Sequence, residues 1–400
     1  MRHAQSKSLL RTAFLGLSVA IFLCTGYPSQ ARLMIVGNDE RISWDAQGTQ
    51  LKSLDASRDT VCIVDISVNP ENPRIIATLP LINSIYGPPT NLTISPDEKL
   101  ALVANPMKVE QVEGVPTVVP DNLLHLIDLE GTPKLIKTIT VDSQPSGMDL
   151  SADGSLLLIA NRAGQSVSVL SVKGKSVELV DTVTIGAPVA DVAITPDGRR
   201  ALIVLKQDNK VGILTIKGHK VAYDKKLDIN VGISPYNVEI SPNGHIALTA
   251  NSGVTGGNDG NTDTVSVIDL TAKRPHVINA VGVGDGPEGL AISPRGNLAV
   301  AVLINGSQNA KADPNTAWAA NKNGRVAILS IRGKNVRKVA DIEVGAMPEG
   351  AVFSPDGQYI YVGNFLSNDI SILKVEDRKV VDTGKRLKLP GSPAAMRGPK

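Results

Sequence analysis

A recurring turn, complete at Ser354-Pro355-Asp356-Gly357, constrains this chain more than any other feature. It returns as Ser95-Pro96-Asp97, Ser151-Ala152-Asp153-Gly154, Thr195-Pro196-Asp197-Gly198, Ser241-Pro242-Asn243-Gly244 and Ser293-Pro294-Arg295-Gly296. Proline at the second position presets φ, aspartate bonds its own backbone, and glycine accepts the positive φ that closes the turn. Alternating β-branched and aromatic residues on either side mark strands, not helices. Successive turns are 56, 44, 46, 52 and 61 residues apart. A base period near 44 with variable insertions predicts an all-β chain with one four-stranded propeller blade per repeat.

Six turns supply six inner strands, and the seventh blade is split between the termini. Met34 to Asn38 matches the second strand of the repeat, Val61 to Ile66 the third and Ile75 to Leu79 the fourth. The missing innermost strand is expected from the C-terminal run Leu389 to Met396, which looks like the start of an inner strand. A seven-bladed ring then closes without open sheet edges that would invite aggregation.

Ten residues after each turn Ser or Thr stand Asn105, Asn161, Leu205, Asn251, Leu303 and Asn364. The string Tyr359-Ile360-Tyr361-Val362-Gly363-Asn364, after Ser-Pro-Asp-Gly and before Asn-Asp-Ile-Ser-Ile-Leu-Lys-Val, resembles the YVTN-type β-propeller repeat family. The resemblance covers essentially all of the chain after residue 31, with blades 4 and 6 departing by lacking the Asn. It implies kinship with seven-bladed lactonases and bacterial surface-layer propellers. A catalytic His–Arg–Glu set cannot be carried over from such lactonases residue by residue, and one fold hosts many activities.

Residues 1–31 read as a secretory signal: Arg2, Lys7 and Arg11 precede an apolar run from Ala13 to Leu23, and Ser29-Gln30-Ala31 offers small residues for cleavage. The expected mature protein is a single domain over 32–400, periplasmic or secreted, with no transmembrane span. The chain has 41 Lys and Arg against 39 Asp and Glu; three of the bases precede residue 32, leaving 38 against 39 and a net charge near −1. Such balance argues against a nucleic-acid partner or an anionic-membrane surface. Cys62 is the only cysteine after residue 31, so no internal disulfide forms there and burial must supply the stability.

Function is sought where the chain departs from its own repeat. The loops Asp39–Asp59, Pro106–Asp121, Ser252–Asp263 and Ile304–Asn323 are long, while blades 3, 4 and 7 use about four residues at the same place. All belong to one face of the disc, and long loops on a rigid scaffold often carry function. Trp44 and Trp318 both fall in these loops and are expected to flank a groove over blade 7. Its floor would hold Glu288 and Glu349, from the matched Gly-Pro-Glu-Gly and Met-Pro-Glu-Gly starts of neighbouring inner strands. Two carboxylates at a channel mouth can bind a polyol, amine or cation, or act as acid and base. Tyr236 joins these residues as a ligand-binding candidate.

Other features carry less. Asn258 to Asp263 has calcium-type ligands but lacks the spacing and terminal Glu of an EF-hand, so it reads as a polar turn and no metal is assigned. Arg162, Lys206 and Lys210 form a basic sector over blades 3 and 4 that reads as solvated. The histidines at 125, 219, 245 and 276 fall away from the long-loop face. Two readings remain. The favoured one is an exported, monomeric binding propeller holding a small molecule, a cell-envelope component or a protein; its cofactor is unknown. The alternative is a lactonase-like hydrolase in which carboxylates activate water and Arg41 or Arg162 stabilises the oxyanion.

Overall fold

The turn closes as its residues dictate. In a computed structural model of the chain, Ser354 Oγ donates to Asp356 Oδ1 at 2.6 Å and accepts from Tyr359 N at 2.9 Å. Gly357 N donates to Ser354 O at 2.8 Å, with Gly357 at φ 67°. The structure describes Met1 and residues 32–398, apart from 45–49, 53–57, 84–86, 255, 257–258, 309–316 and 378. The chain divides into Met1–Gln30 and Ala31–Lys400. The leader expected over 1–31 lies, but for Met1, outside the described residues. Among the described residues no helix is long and apolar enough to cross a membrane.

The recurring asparagine has a structural task. Asn364 Nδ2 reaches across the hairpin to Asp369 Oδ1 at 2.8 Å and Ser371 Oγ at 2.9 Å. Asn161 does the same to Ser166 and Ser168, and Asn251 to Thr264 and Ser266. Each pins the start of the third strand to the end of the second. In blades 4 and 6, Leu205 and Leu303 replace the polar clamp with apolar burial.

Strands joined in this way make seven blades among the described residues. Blade 7, for example, runs outward from Pro348–Phe353 through Tyr359–Asn364 and Asp369–Glu376 to Lys379–Lys388. In blade 1 the inner strand is Pro393–Arg397, paired antiparallel with Leu33–Asn38, so the C-terminus completes the N-terminal blade. The fold is a seven-bladed β-propeller closed by strand exchange between its ends. Seven apolar clusters lie one at each blade–blade junction. The closing junction between blades 7 and 1 packs Met396 against Met34, Val36, Tyr361 and Ile370.

Two long loops prove to be strand. Pro106–Asp121 is a hairpin arm in which Leu100–Val112 and Val115–Asp128 run on past the blade. Its tip is Glu113 at φ 50° and Gly114 at φ 78°, the pair of positive φ values whose twist suits a two-residue hairpin. Within 39–59, Ile42–Trp44 pairs with Gln50–Lys52.

Candidate active site at the channel mouth

The repeat places homologous residues of the seven inner strands around a central channel. Counting from the residue aligned with Pro348 (Pro393, Pro89, Pro145, Val189, Pro235 and Pro287 in blades 1 to 6), the second position is Ala394, Thr90, Ser146, Ala190, Tyr236, Glu288 and Glu349 in blades 1 to 7. The third position ties blades together. Asp191 accepts from Val238 N at 2.9 Å, and Asn237 Oδ1 accepts from Leu290 N at 2.7 Å. Where the third residue is Gly289, a Cβ would fall 2.1 Å from Glu349 O, so only glycine admits the next blade's backbone.

At the second position Glu288 and Glu349 meet as expected, joined by a side-chain hydrogen bond. Burial raises both carboxyls above the usual range, and they differ in their neighbours. Glu288 also faces Lys206 and Arg162, whose charges favour its ionised form. Glu349 faces the charges of Glu288 and Asp39, and is held protonated well above the ordinary glutamate range. Of the two, Glu349 holds its proton more tightly, and the charges of Lys206 and Arg162 favour ionisation at Glu288.

Tyr236 stands beside them and accepts a hydrogen bond from Arg162. Lys206 Nζ lies 4.1 Å from the Tyr236 ring centroid, a cation–π contact. Burial pulls the Lys206 ammonium below the lysine range, while Glu288 opposes this. Ser146, 1% exposed, has its Oγ buried without a hydrogen-bond partner among the described residues, beside Gly87 and close to Arg162. The mouth thus gathers two hydrogen-bonded carboxyls, two basic side chains and a phenol in one enclosed well.

The basic sector is therefore not simply solvated, and this corrects the sequence reading. Arg162 and Lys206 are the first residues of the four-residue loops in blades 3 and 4, directly after Asn161 and Leu205. So short a loop holds its first side chain over the lumen. The signal was present in the register: the same position elsewhere holds Asp39, Pro106, Ser252, Ile304 and Phe365. Lys210 is separate, at the start of a strand and near Asp228. Arg41 is committed elsewhere, with Nη1 donating to Met107 O at 3.0 Å under the blade 2 arm.

Trp318 does not stand over blade 7 as expected. Trp318 is 72% exposed, and its ring lies over Gly260 of the blade 5 loop, on the side of blade 6 away from blade 7. Gly260, at φ 69° and without a side chain, offers the indole a bare backbone platform. Trp44 ends a hairpin strand, and its side chain lies outside the described residues. Among the described residues, no group of three or more His, Cys, Asp or Glu could hold a metal ion.

With this geometry established, comparison with known proteins adds kinship. The model of the family described as lactonase, 7-bladed beta-propeller, matches residues 42–227. A seven-bladed beta-propeller protein of Mycobacterium tuberculosis is 30% identical over 137 residues, covering 34% of this chain. That match spans only 28% of the relative's length. Among solved structures, the periplasmic gluconolactonase of Pseudomonas aeruginosa superposes with a TM-score of 0.64 at 18% identity, covering 92% of this chain and 98% of that one. A candidate 6-phosphogluconolactonase of Bacteroides fragilis gives 0.67 at 17% identity, covering 92% and 98%. The hydrazine synthase of Kuenenia stuttgartiensis gives 0.59 at 18% identity, covering 78% and 89%. At these identities the likeness shows the fold alone, and the named activities differ widely.

Proposed function

We propose that this protein is a lactone hydrolase that opens a small hydroxylated lactone at the channel mouth. The observation that carries the reading is the hydrogen-bonded Glu288–Glu349 pair beside Lys206 and Arg162, which we read as sharing one proton. The lactonase description of the matching family and the gluconolactonase names among the structural neighbours support the same class. The order of the two readings drawn from the sequence is thereby reversed. A simple binding pocket needs no acid and base held in different protonation states, whereas ester hydrolysis does.

In this mechanism ionised Glu288 takes a proton from a water that attacks the lactone carbonyl carbon. Lys206 and Arg162 face the oxyanion and stabilise it in a site shielded from bulk water. Collapse breaks the bond between the acyl carbon and the ring oxygen, which leaves with the Glu349 proton. Glu288 then passes the proton it took to Glu349, and the pair is restored. Tyr236 orients Arg162 and gives the substrate a polar edge. The YVTN-type repeat assignment and an exported, monomeric state complete the proposal, resting on the repeat strings and on the leader pattern at 1–31.

The test is hydrolysis of a panel of aldonolactones followed by pH-stat, with and without chelator and added divalent metals. The Glu288→Gln, Glu349→Gln double variant should lose about 10²–10⁴-fold in kcat/KM while keeping its melting temperature. No hydrolysis above background by the wild type, or an equally active double variant, would sink the reading. Saturable lactone binding without turnover would return the function to binding.

A further inference from the structure

The inner strands carry a second ring of homologous residues, at the fifth position of the same repeat-aligned count, three residues and about 10 Å farther along the channel. These are Arg397, Thr93, Asp149, Ala193, Glu239, Ala291 and Val352 in blades 1 to 7. All seven line one cavity of about 390 Å³ at the end of the channel away from Glu288 and Glu349. Ile240, Ile292 and Phe353 form its apolar wall. The volume falls in the range of small-molecule sites.

Its polar groups are of both signs. Arg397, on the strand that closes the ring, reaches Glu239 of blade 5 in a hydrogen-bonded ion pair. The two side chains keep 21% and 18% of their surface open, so this is an accessible ion pair and not a sealed one. Glu239 is the strongest charge acting on Arg397, followed by Asp191 and Asp149. Asp149 is anchored where it stands, accepting from Ile194 N at 2.7 Å. Arg397 has five donors in a rigid fork, and its described hydrogen bond uses only Nη1.

We propose that this cavity is a binding site for a small zwitterion, an α-amino acid with an apolar side chain. The ligand carboxylate takes the remaining donors of Arg397, and its ammonium lies against Glu239 and Asp149. The side chain packs on Ile240, Ile292 and Phe353. A zwitterion adds no net charge to an enclosed site, and each of its charged ends meets a group of opposite sign. A simple anion would face two carboxylates, and a simple amine would leave the guanidinium fork unused. The assignment is independent of the hydrolase reading, since the two sites use different rings of the channel.

The test is isothermal titration of the wild-type protein with L-leucine and L-phenylalanine, against leucinamide, N-acetyl-leucine and glucose. Leucine or phenylalanine should bind saturably with a Kd below about 1 mM, at least tenfold tighter than the three controls. Glu239→Gln should weaken binding at least tenfold. Ala193→Leu, which adds bulk to the ring without touching the ion pair, should abolish it while leaving lactone turnover unchanged. The Glu288→Gln, Glu349→Gln variant should bind leucine like the wild type. The proposal is overturned by absence of saturable amino-acid binding, by leucinamide binding as tightly as leucine, or by undiminished binding in both cavity variants.

Discussion

Gly357 shows how much of this molecule is decided one residue at a time. It sits at φ 67°, and a Cβ there would lie 3.7 Å from its nearest neighbour, ordinary contact distance. Glycine is needed for the backbone alone. Gly357→Ala should therefore cost roughly 1–2 kcal/mol in denaturant unfolding, the cost of left-handed backbone for a residue with a Cβ. An unchanged unfolding midpoint would show that the turn relaxes out of that conformation. Residue identity also foretold the carboxyl pair, because Pro-Glu-Gly at both strand starts fixes Glu288 and Glu349 at one level of adjacent blades. It did not foretell Lys206 and Arg162. A lysine or arginine at a loop start looks solvated until the ring closes and turns that loop toward a lumen. Trp318 failed for a related reason: the indole rests on Gly260, and nothing in local sequence says which neighbouring loop it will meet.

At the scale of the element, the strand Pro393–Arg397 bears the most consequence for its length. It pairs Val36 with Met396 and Gly37 with Ala395, and covers Met34 and Val36 in the junction between blades 7 and 1. The sequence announced it, because its proline start repeats that of the inner strands of blades 3, 5, 6 and 7. Deleting residues 388–400 should strip one edge of blade 1, lower the melting temperature sharply and promote aggregation. A truncated protein that melts and stays in solution like the full chain would contradict strand exchange as the closure. The blade 2 arm was less apparent. Its strands carry prolines at 106, 116 and 120, which have no N–H to donate to a ladder. The Glu113-Gly114 turn overrides them by holding the two strands in register.

The whole molecule creates an environment that no blade has alone: a channel in which seven inner strands bring like and unlike charges together. Asp191 measures that environment. Thr90 Oγ1 donates to its Oδ1 at 2.7 Å, and Asn237 Nδ2 to its Oδ2 at 2.6 Å, yet burial still pushes its carboxyl up to about 6, with Arg397 opposing. The folded protein thus holds this proton where the unfolded chain, near 3.8, has released it. The stability it contributes is complete below pH 3.8 and is lost as pH rises through about 6. Relative to Asp191→Asn, the wild type should lose on the order of 3 kcal/mol across that window. Parallel stability curves for the two proteins would refute the assignment. The same enclosure sets the proposed chemistry at the mouth, in which Glu288 and Glu349 share one proton. The most direct test of that claim is the pH dependence of kcat/KM for lactone hydrolysis in the wild type and in Glu349→Gln. The wild type should give a bell, its acid limb reporting protonation of the ionised carboxyl and its alkaline limb loss of the pair's last proton. Glu349→Gln should be slower and keep only the acid limb, moved to higher pH as the hydrogen bond that favours ionised Glu288 is weakened. An alkaline limb that survives unchanged in Glu349→Gln would contradict the shared proton.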